Sequence, residues 1–491
     1  MKTLKKLSAL LLSSALALSA MPLTAVAAEG ETEEPILVDA SIQMDGTAVT
    51  ATGEHVTVEG TKITIDHSGA YVFSGALEDG QIVVNVPDEK TDAETVKLYF
   101  NGVKITGKNA AAVYVINAEN TSINLGKGTE NFLYDENFYD ETATGTTAVI
   151  HAKDDITIKG EGSLRVESKY NYGLQCNNDV KFTGGNIKFK VEGTPSDTSA
   201  NAEKRADAVR GKTSVTVKGG EIDINAEGDG IKSTKGDVLF QDGKAEVKAG
   251  NDAVQGETTV QISGGSLKAN GDRSLTCSNG KIKISGGSVC GTSTDPNPTN
   301  LEVTQPTLLF ALTEEVAKDH EIVLSSFETV TNENSSVSSS TSVFGSNPDK
   351  KFSNILISDP ALKAGANYQL AIGDYAATTA DGNIFAAAEA IASFENVNPN
   401  QPAESGETTD ATTAPSEPAT TTTAAGEYAK GDINGDGKVT ISDAVLLARI
   451  IAEDSTLDLK NNETSRADID GSGLIDSDDL TYLLKSLAGL I

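Results

Sequence analysis

The sequence contains no tryptophan and only 4 histidines among its 491 residues. Flat crystalline sugar surfaces are usually gripped by large aromatic faces, so the absence of tryptophan argues against that kind of binding surface. The histidines lie in different segments, which argues against a Ser-His-Asp triad and against a histidine-rich zinc site. They are His55, His67, His151 and His320.

Cysteine is also scarce, because the chain has only 3. Three cysteines are too few for a disulfide framework, and an odd number leaves at least one thiol unpaired within the chain. We interpret Cys176, Cys277 and Cys290 as small interior side chains. A bridge between Cys277 and Cys290 is the alternative.

Positive charge is in short supply, with 39 Lys+Arg against 71 Asp+Glu and a formal net charge of −32. No local basic stripe offsets this excess, which argues against nucleic acid and against anionic membranes as partners. An excess of carboxylates does suit a protein that holds hard cations such as calcium.

Long hydrophobic runs are absent after the first residues of the chain. Those first residues have the pattern of a secretory signal peptide. A signal peptide has a basic start, then an apolar run, then small residues at the cleavage site. Here the apolar run extends from Leu7 to Ala20, and the small residues are Ala25 to Ala27. The run is too short to span a bilayer comfortably. We therefore expect residues 1–28 to be removed and the mature protein to be secreted.

An internal repeat of roughly 22 residues organises the central part of the chain. Most copies have an alternating strand, a Gly-rich or Asp-Gly corner, a second alternating strand, an acidic turn and a third short apolar stretch. The clearest copies begin at Asp179, Ser214, Asp237 and Thr259. One copy cannot bury its own apolar face, whereas stacked copies share a continuous core. The sequence therefore predicts a mostly β fold with a right-handed parallel β-helix over residues 29–300.

Two further segments follow the repeats. Residues 301–397 have wider strand spacing and are predicted to form a small β domain that caps the open end of the repeats. Residues 398–426 are rich in Thr, Ala, Pro and Glu, which predicts a flexible, extended linker.

Two twelve-residue segments after the linker have the spacing of calcium loops, with Gly at position 6 and oxygen-bearing residues at positions 1, 3, 5, 9 and 12. Each is followed by an apolar helical pattern. The predicted ligands of the first loop are Asp432, Asn434, Asp436, the carbonyl of Lys438, Thr440 and Asp443. Those of the second loop are Asp468, Asp470, Ser472, the carbonyl of Leu474, Asp476 and Asp479. The cofactor is therefore predicted to be Ca²⁺, acting as a folding ligand.

The duplicated loop and single exiting helix over residues 427–491 resemble the small all-α dockerin module of cellulosomal proteins. The resemblance implies docking to a cohesin domain of a scaffolding protein. In that family, loop positions 10 and 11 help to select the cohesin; here they are Ile441, Ser442, Ser477 and Asp478. A calcium sensor that opens a groove is a weaker alternative, because sensors pair full helix-loop-helix units with Glu at position 12.

Acidic turn residues recur in the repeats at Asp207, Asp229, Asp252 and Asp272. Stacked strands lie about 5 Å apart, so these carboxylates would repel one another unless a cation or solvent intervenes. We expect calcium there; the alternative is that Asp simply favours turns. Arg210 and Lys232 each lie three residues after an Asp. Their side chains either bind an acidic sugar polymer or form local ion pairs with the Asp residues.

Aromatic side chains offer further candidate sugar contacts. Tyr172 occupies the turn position that later repeats fill with Asp, and Tyr170 lies two residues before it. The two are either sugar-stacking residues or a pair of turn or core tyrosines. A second cluster lies in an insertion over residues 131–147, where it is either a sugar platform or a packing contact for that loop. It comprises Phe132, Tyr134, Phe138 and Tyr139.

The repeat pattern over residues 56–385 resembles a family of secreted carbohydrate-binding β-helix proteins. The resemblance implies calcium-dependent binding of pectic or cellulosic cell-wall polysaccharide, on a fold shared with pectate lyases. We predict non-catalytic binding. Two alternatives remain open: a calcium-dependent pectate lyase with Lys232 or Arg210 as the base, and a structural or adhesive protein with no sugar site.

Overall fold

The computed structural model describes most of the chain up to residue 401 and parts of the C-terminal segment. The described residues are 37–137, 144–193, 206–332, 335–378, 385–386, 391–401, 430–431, 433, 439, 441–451, 466–469 and 475–487. The predicted signal peptide and nearly all of the predicted linker lie outside these ranges. The chain divides into two compact units, Met1–Ser405 and Gly406–Ile491.

Short strands follow one another through the repeat region. In chain order they are β1 (Ala40–Gly46), β2 (Ala48–Gly53), β3 (Val56–Glu59), β4 (Lys62–Ile65), β5 (Gly69–Leu77), β6 (Gln81–Asn85), β7 (Thr95–Gly107), β8 (Val113–Asn117), β9 (Asn120–Leu125), β10 (Glu130–Asp135), β11 (Ala148–Ala152), β12 (Ile156–Gly160), β13 (Ser163–Ser168), β14 (Tyr172–Cys176), β15 (Asp179–Val191), β16 (Val209–Gly211), β17 (Ser214–Ala226), β18 (Ile231–Ser233), β19 (Asp237–Ala249), β20 (Asp252–Gly256), β21 (Thr259–Gly271), β22 (Arg273–Cys277), β23 (Lys281–Ser293) and β24 (Leu301–Val303).

Ten of these strands form one sheet in the order β22-β20-β18-β16-β14-β11-β8-β6-β4-β3. The β3–β4 pair is antiparallel, and the other pairs are parallel. Every second or third strand of the chain returns to this sheet, so equivalent residues of successive repeats lie side by side. Val209, for example, pairs with Ile231, which in turn pairs with Val254.

The remaining strands of the repeat region belong to a larger sheet, in which β15, β17, β19, β21 and β23 are stacked in parallel. Each of these strands has 13 residues and bends at a bulge near its glycine-rich corner. Two earlier repeats divide the corresponding stretch between two shorter strands, β9 and β10 in one and β12 and β13 in the next. These shorter strands lie between the long strands β7 and β15. The pairing therefore closes into a ring in the order β7, β9, β12, β15, β13 and β10.

A continuous apolar core runs between the two sheets. Several inward residues of each repeat contribute to it. One column of register partners consists of Val180, Val215, Val238, Val260 and Ile282, all of which are buried. Cys176, Cys277 and Cys290 are buried free thiols. Their interpretation as interior side chains is confirmed, and the alternative bridge between Cys277 and Cys290 is wrong.

The strands described after the repeats enclose a second core cluster. They are β25 (Thr307–Val316), β26 (Ile322–Asn332), β27 (Ser335–Ser346), β28 (Phe352–Ser358), β29 (Asn367–Ile372), β30 (Tyr375–Thr378), β31 (Phe385–Ala386) and β32 (Ile391–Gln401). Strand β28 pairs antiparallel with both β23 and β25. The β-rich segment therefore continues the edge of the large sheet, and the residues around Phe310, Phe352 and Phe385 are its core.

The described part of the C-terminal unit includes the helices α1 (Ile441–Ile451) and α2 (Ser477–Leu487). Both begin before the last residue of the predicted calcium loop, three residues earlier than the apolar pattern indicates. Ile433, Ala444, Leu447, Ala467 and Leu483 are buried together between them. None of the described helices is long and apolar enough to cross a membrane.

Candidate functional site

Three acidic residues of the predicted column lie together on the ten-stranded sheet. Asp207, Asp229 and Asp252 are 3%, 4% and 1% exposed, so all three carboxylates are buried. Each lies at or just before the start of a short strand, at the corner where the chain returns from the large sheet. The sequence prediction that they stack on one another is confirmed by hydrogen bonds between successive repeats.

The prediction that Asp272 continues this column is wrong. Arg273, not Asp272, is the register partner of Asp252, and Asp272 is exposed. The cause is the length of the turn. Two residues separate β19 from β20, whereas Asp272 alone separates β21 from β22.

Both oxygens of each buried carboxylate have partners. Oδ1 of Asp207 accepts the backbone N–H of Asp229 at 3.0 Å, and Oδ1 of Asp229 accepts the N–H of Asp252 at 3.0 Å. Oδ2 of Asp207 lies 3.2 Å from Nη1 of Arg210. Oδ2 of Asp229 forms an ion pair with Lys232. The local ion-pair interpretation of Arg210 and Lys232 is therefore what the structure shows.

Asp252 is paired differently, because its basic partner comes from the next repeat. Nε and Nη2 of Arg273 donate to its two oxygens at 2.6 and 2.9 Å, a bidentate arrangement. Sequence reasoning missed Arg273. The available signal was its position, 21 residues after Asp252, which is close to the spacing of the other copies.

The buried column does not present free oxygens to a cation. Among the described residues, no three His, Cys, Asp or Glu side chains converge to form a metal site. Burial, reinforced by the nearby Asp229 carboxylate, raises the pKa of Asp207 to about 6. Calcium at this column stays a prediction from the sequence, and it would have to displace the ion pairs.

Tyr172 lies beside the basic residues, as the sequence suggested. The Arg210 guanidinium carbon is 5.2 Å from the centre of the Tyr172 ring, and Nη1 of Arg210 donates to the tyrosine hydroxyl at 3.4 Å. Register also places Gln175, Arg210, Lys232 and Gln255 in one row across the sheet. The result is a polar row that runs across the stacked strands, with Tyr172 near one end.

The C-terminal unit shows the same local geometry twice. Oδ1 of Asp443, at loop position 12, accepts the N–H of Ile433 at 2.7 Å. Oδ1 of Asp479 likewise accepts the N–H of Ile469 at 2.7 Å. Both carboxylates are fully buried at the first turn of a helix, where the helix dipole favours negative charge. Gly431 and Arg466, which precede the two loops, are joined by a backbone hydrogen bond of 3.0 Å.

This donor set fits a hard cation, because the ligands predicted for both loops are oxygen atoms and the last carboxylate of each is already oriented. Asp443, Asp468, Asp476 and Asp479 lie within the described residues. The other predicted ligands lie outside them, and the side chains of the predicted cohesin-selecting residues Ile441, Ser442 and Asp478 are likewise not described. Ser477, the fourth of those residues, is exposed at the start of α2.

Comparison with known families identifies both parts of the chain. Residues 59–383 match the family model described as carbohydrate-binding domain-containing protein, and the chain belongs to that family. Residues 430–488 match the dockerin type I domain. The two resemblances stated from the sequence, to a carbohydrate-binding family and to dockerins, are thereby confirmed.

One relative and one solved structure give the extent of similarity. A carbohydrate-binding domain-containing protein of Acetivibrio thermocellus is 39% identical over 158 residues, covering 31% of this chain and 54% of the relative. The match therefore spans about half the length of that relative. A gadolinium derivative of the polysaccharide lyase-like protein from C. thermocellum aligns with a TM-score of 0.42 and 31% identity. That alignment covers 54% of this chain and 99% of the other.

Proposed function

We propose that this protein binds a plant cell-wall polysaccharide, pectic or cellulosic, without cleaving it, and that its dockerin attaches it to a cohesin of an extracellular cellulosome. The observation that carries the proposal is the presence of both family matches in one chain. One unit supplies carbohydrate binding and the other supplies attachment. The signal-peptide pattern at residues 1–28 supports secretion.

The ion pairs on the ten-stranded sheet support binding rather than lyase chemistry. A lyase base must accept a proton from the sugar, so its nitrogen has to be unprotonated and accessible. Arg210 and Lys232, the two candidate bases, are instead each held against a buried carboxylate. Removing a proton from either group would leave that carboxylate buried and unpaired, which is costly.

We further propose that the dockerin requires Ca²⁺ and that the stacked repeats coil as a right-handed parallel β-helix. The duplicated oxygen-rich loops and the buried carboxylates of Asp443 and Asp479 support the first statement. Parallel pairing of equivalent residues through successive repeats supports the second. A parallel crossover within one sheet is right-handed in nearly all known proteins.

Incubation of the full-length chain with polygalacturonate and with cellulose tests the proposal. Depletion of the protein from solution by at least one polymer is expected, with no release of soluble unsaturated oligosaccharides over many hours. Steady accumulation of unsaturated products would move the protein to the lyases. Absence of depletion by both polymers would favour the structural alternative.

A further inference from the structure

An aromatic and basic patch lies on the outer face of the large sheet, away from the acidic column. Strand β10 alternates strictly, with Asn131, Leu133 and Asp135 buried and Phe132 and Tyr134 half-buried on the opposite face. The two ring planes are within 7° of parallel and their centres are 6.1 Å apart. The strand thus holds two rings in a fixed relation on an accessible face.

Basic side chains flank these rings on both neighbouring strands. Register pairs Phe132 with Lys104 on β7 and with Arg165 on β13. Nζ of Lys104 and the guanidinium carbon of Arg165 each lie 5.8 Å from the centre of the Phe132 ring. Such cation–π contacts hold a charged group beside a ring without neutralising its charge.

The basic side chains of this patch are accessible to a ligand. The side chain of Arg165 is 59% exposed, although it also pairs with Glu167. Lys104 is exposed, and no carboxylate of the described residues lies within ion-pair distance of it. Nζ of Lys169 lies 5.3 Å from the centre of the Tyr170 ring and adds a third exposed cation nearby. The carboxylate of Glu167, the register partner of Tyr134, lies among these cations and offsets the charge of Arg165, whereas Lys104 and Lys169 keep their charges exposed.

A buried carboxylate fixes the turn at one edge of the patch. Asp135, 1% exposed, accepts the backbone N–H of Lys169 at 2.6 Å, the hydroxyl of Ser168 at 2.6 Å and the side-chain amide of Asn171 at 2.8 Å. These bonds fix the turn that carries Lys169 and Tyr170 beside β10. Burial raises the pKa of Asp135, and the hydrogen bonds oppose that rise. A rigid surface loses little conformational entropy on binding.

We propose that this aromatic–basic patch is the surface that contacts an acidic polysaccharide, and that the Asp column on the other sheet is structural. The inference rests on the proposed function and adds the location of the binding surface. The aromatic rings offer apolar area to the C–H faces of sugar rings, while the cations pair with uronate carboxylates. The patch consists of Lys104, Phe132, Tyr134, Arg165, Lys169 and Tyr170.

Charge removal on the full-length chain tests this location. Lys104→Gln combined with Arg165→Gln should weaken polygalacturonate binding about tenfold at low salt, and the residual affinity should depend less on salt. Tyr134→Ala should weaken binding several-fold. Lys281→Gln combined with Lys283→Gln removes the same charge from the last full repeat of the same sheet, and it should change affinity less than about twofold.

The outcomes separate the two proposals. If the unmodified protein binds polygalacturonate and the Lys104/Arg165 variant binds equally well, the location is wrong while the function stands. Equal weakening by the Lys281/Lys283 variant would also contradict the location, because it would reflect overall charge alone. No binding by the unmodified protein to polygalacturonate would overturn the inference together with the pectic form of the proposed function.

Discussion

The double substitution Asp443→Ala and Asp479→Ala is expected to lower the calcium affinity of the C-terminal unit by at least about 100-fold. Loss of a residue that only supports a metal ligand already lowers metal affinity by up to about 100-fold. Both side chains are fully buried, and each is oriented by the N–H at loop position 2. Their loss would remove the last predicted ligand of each loop and leave the N–H groups of Ile433 and Ile469 without this acceptor. Calorimetric titration of the full-length chain with calcium measures the effect.

The matched control for this variant is the pair Asp45→Ala and Asp374→Ala. It removes the same charge from two exposed positions in the other unit. The control should bind calcium at the C-terminal unit like the unmodified protein. If the Asp443/Asp479 variant keeps full calcium affinity, the calcium-loop interpretation is contradicted.

Substitution of Gly243 by alanine is expected to destabilise the repeat region by about 3 kcal/mol or more. Gly243 has φ +91, in the region that favours glycine, and a Cβ there would lie 2.8 Å from the carbonyl oxygen of Gly220 in the preceding repeat. The backbone conformation alone costs about 1–2 kcal/mol for a residue with a side chain. The clash with a neighbouring backbone adds to this, because the stacked strands cannot separate locally.

Gly102→Ala isolates the conformational part of this cost. Gly102 also has a positive φ, +75, yet nothing lies within 4 Å of a Cβ placed there. Urea denaturation is followed by the β-sheet circular dichroism signal. The urea midpoint should fall less for Gly102→Ala than for Gly243→Ala. Equal shifts would mean that contact between stacked corners does not limit the packing of the repeats.

The sequence predicted the parts of the molecule that depend on local spacing. Oxygen-bearing residues at fixed offsets identified the dockerin, and the recurrence of Asp207, Asp229 and Asp252 predicted their stacking. The loop pattern lies within twelve consecutive residues, and the Asp pattern recurs at nearly constant spacing from one repeat to the next. The starts of α1 and α2 were placed three residues late, because positions 10 to 12 of each loop are polar and still belong to the first helical turn.

Features that depend on register between repeats were not predictable in the same way. A one-residue change in turn length replaced Asp272 by Arg273 opposite Asp252. The placement of Lys104 and Arg165 on either side of Phe132 also depends on register. It could not be predicted, because each of the two lies more than one repeat length from Phe132 along the chain. Sequence alone indicated the aromatic pair but not the cations beside it.

The central claim is that one chain links a polysaccharide to a cohesin, and a bridging assay tests it most directly. Type I cohesin domains are immobilised, the full-length protein is added with calcium, and labelled polygalacturonate or cellulose is then applied. We predict that at least one polymer is retained when a matching cohesin, protein and calcium are all present, and that retention is lost in chelator. Capture of the protein by cohesin without retention of either polymer would contradict the account.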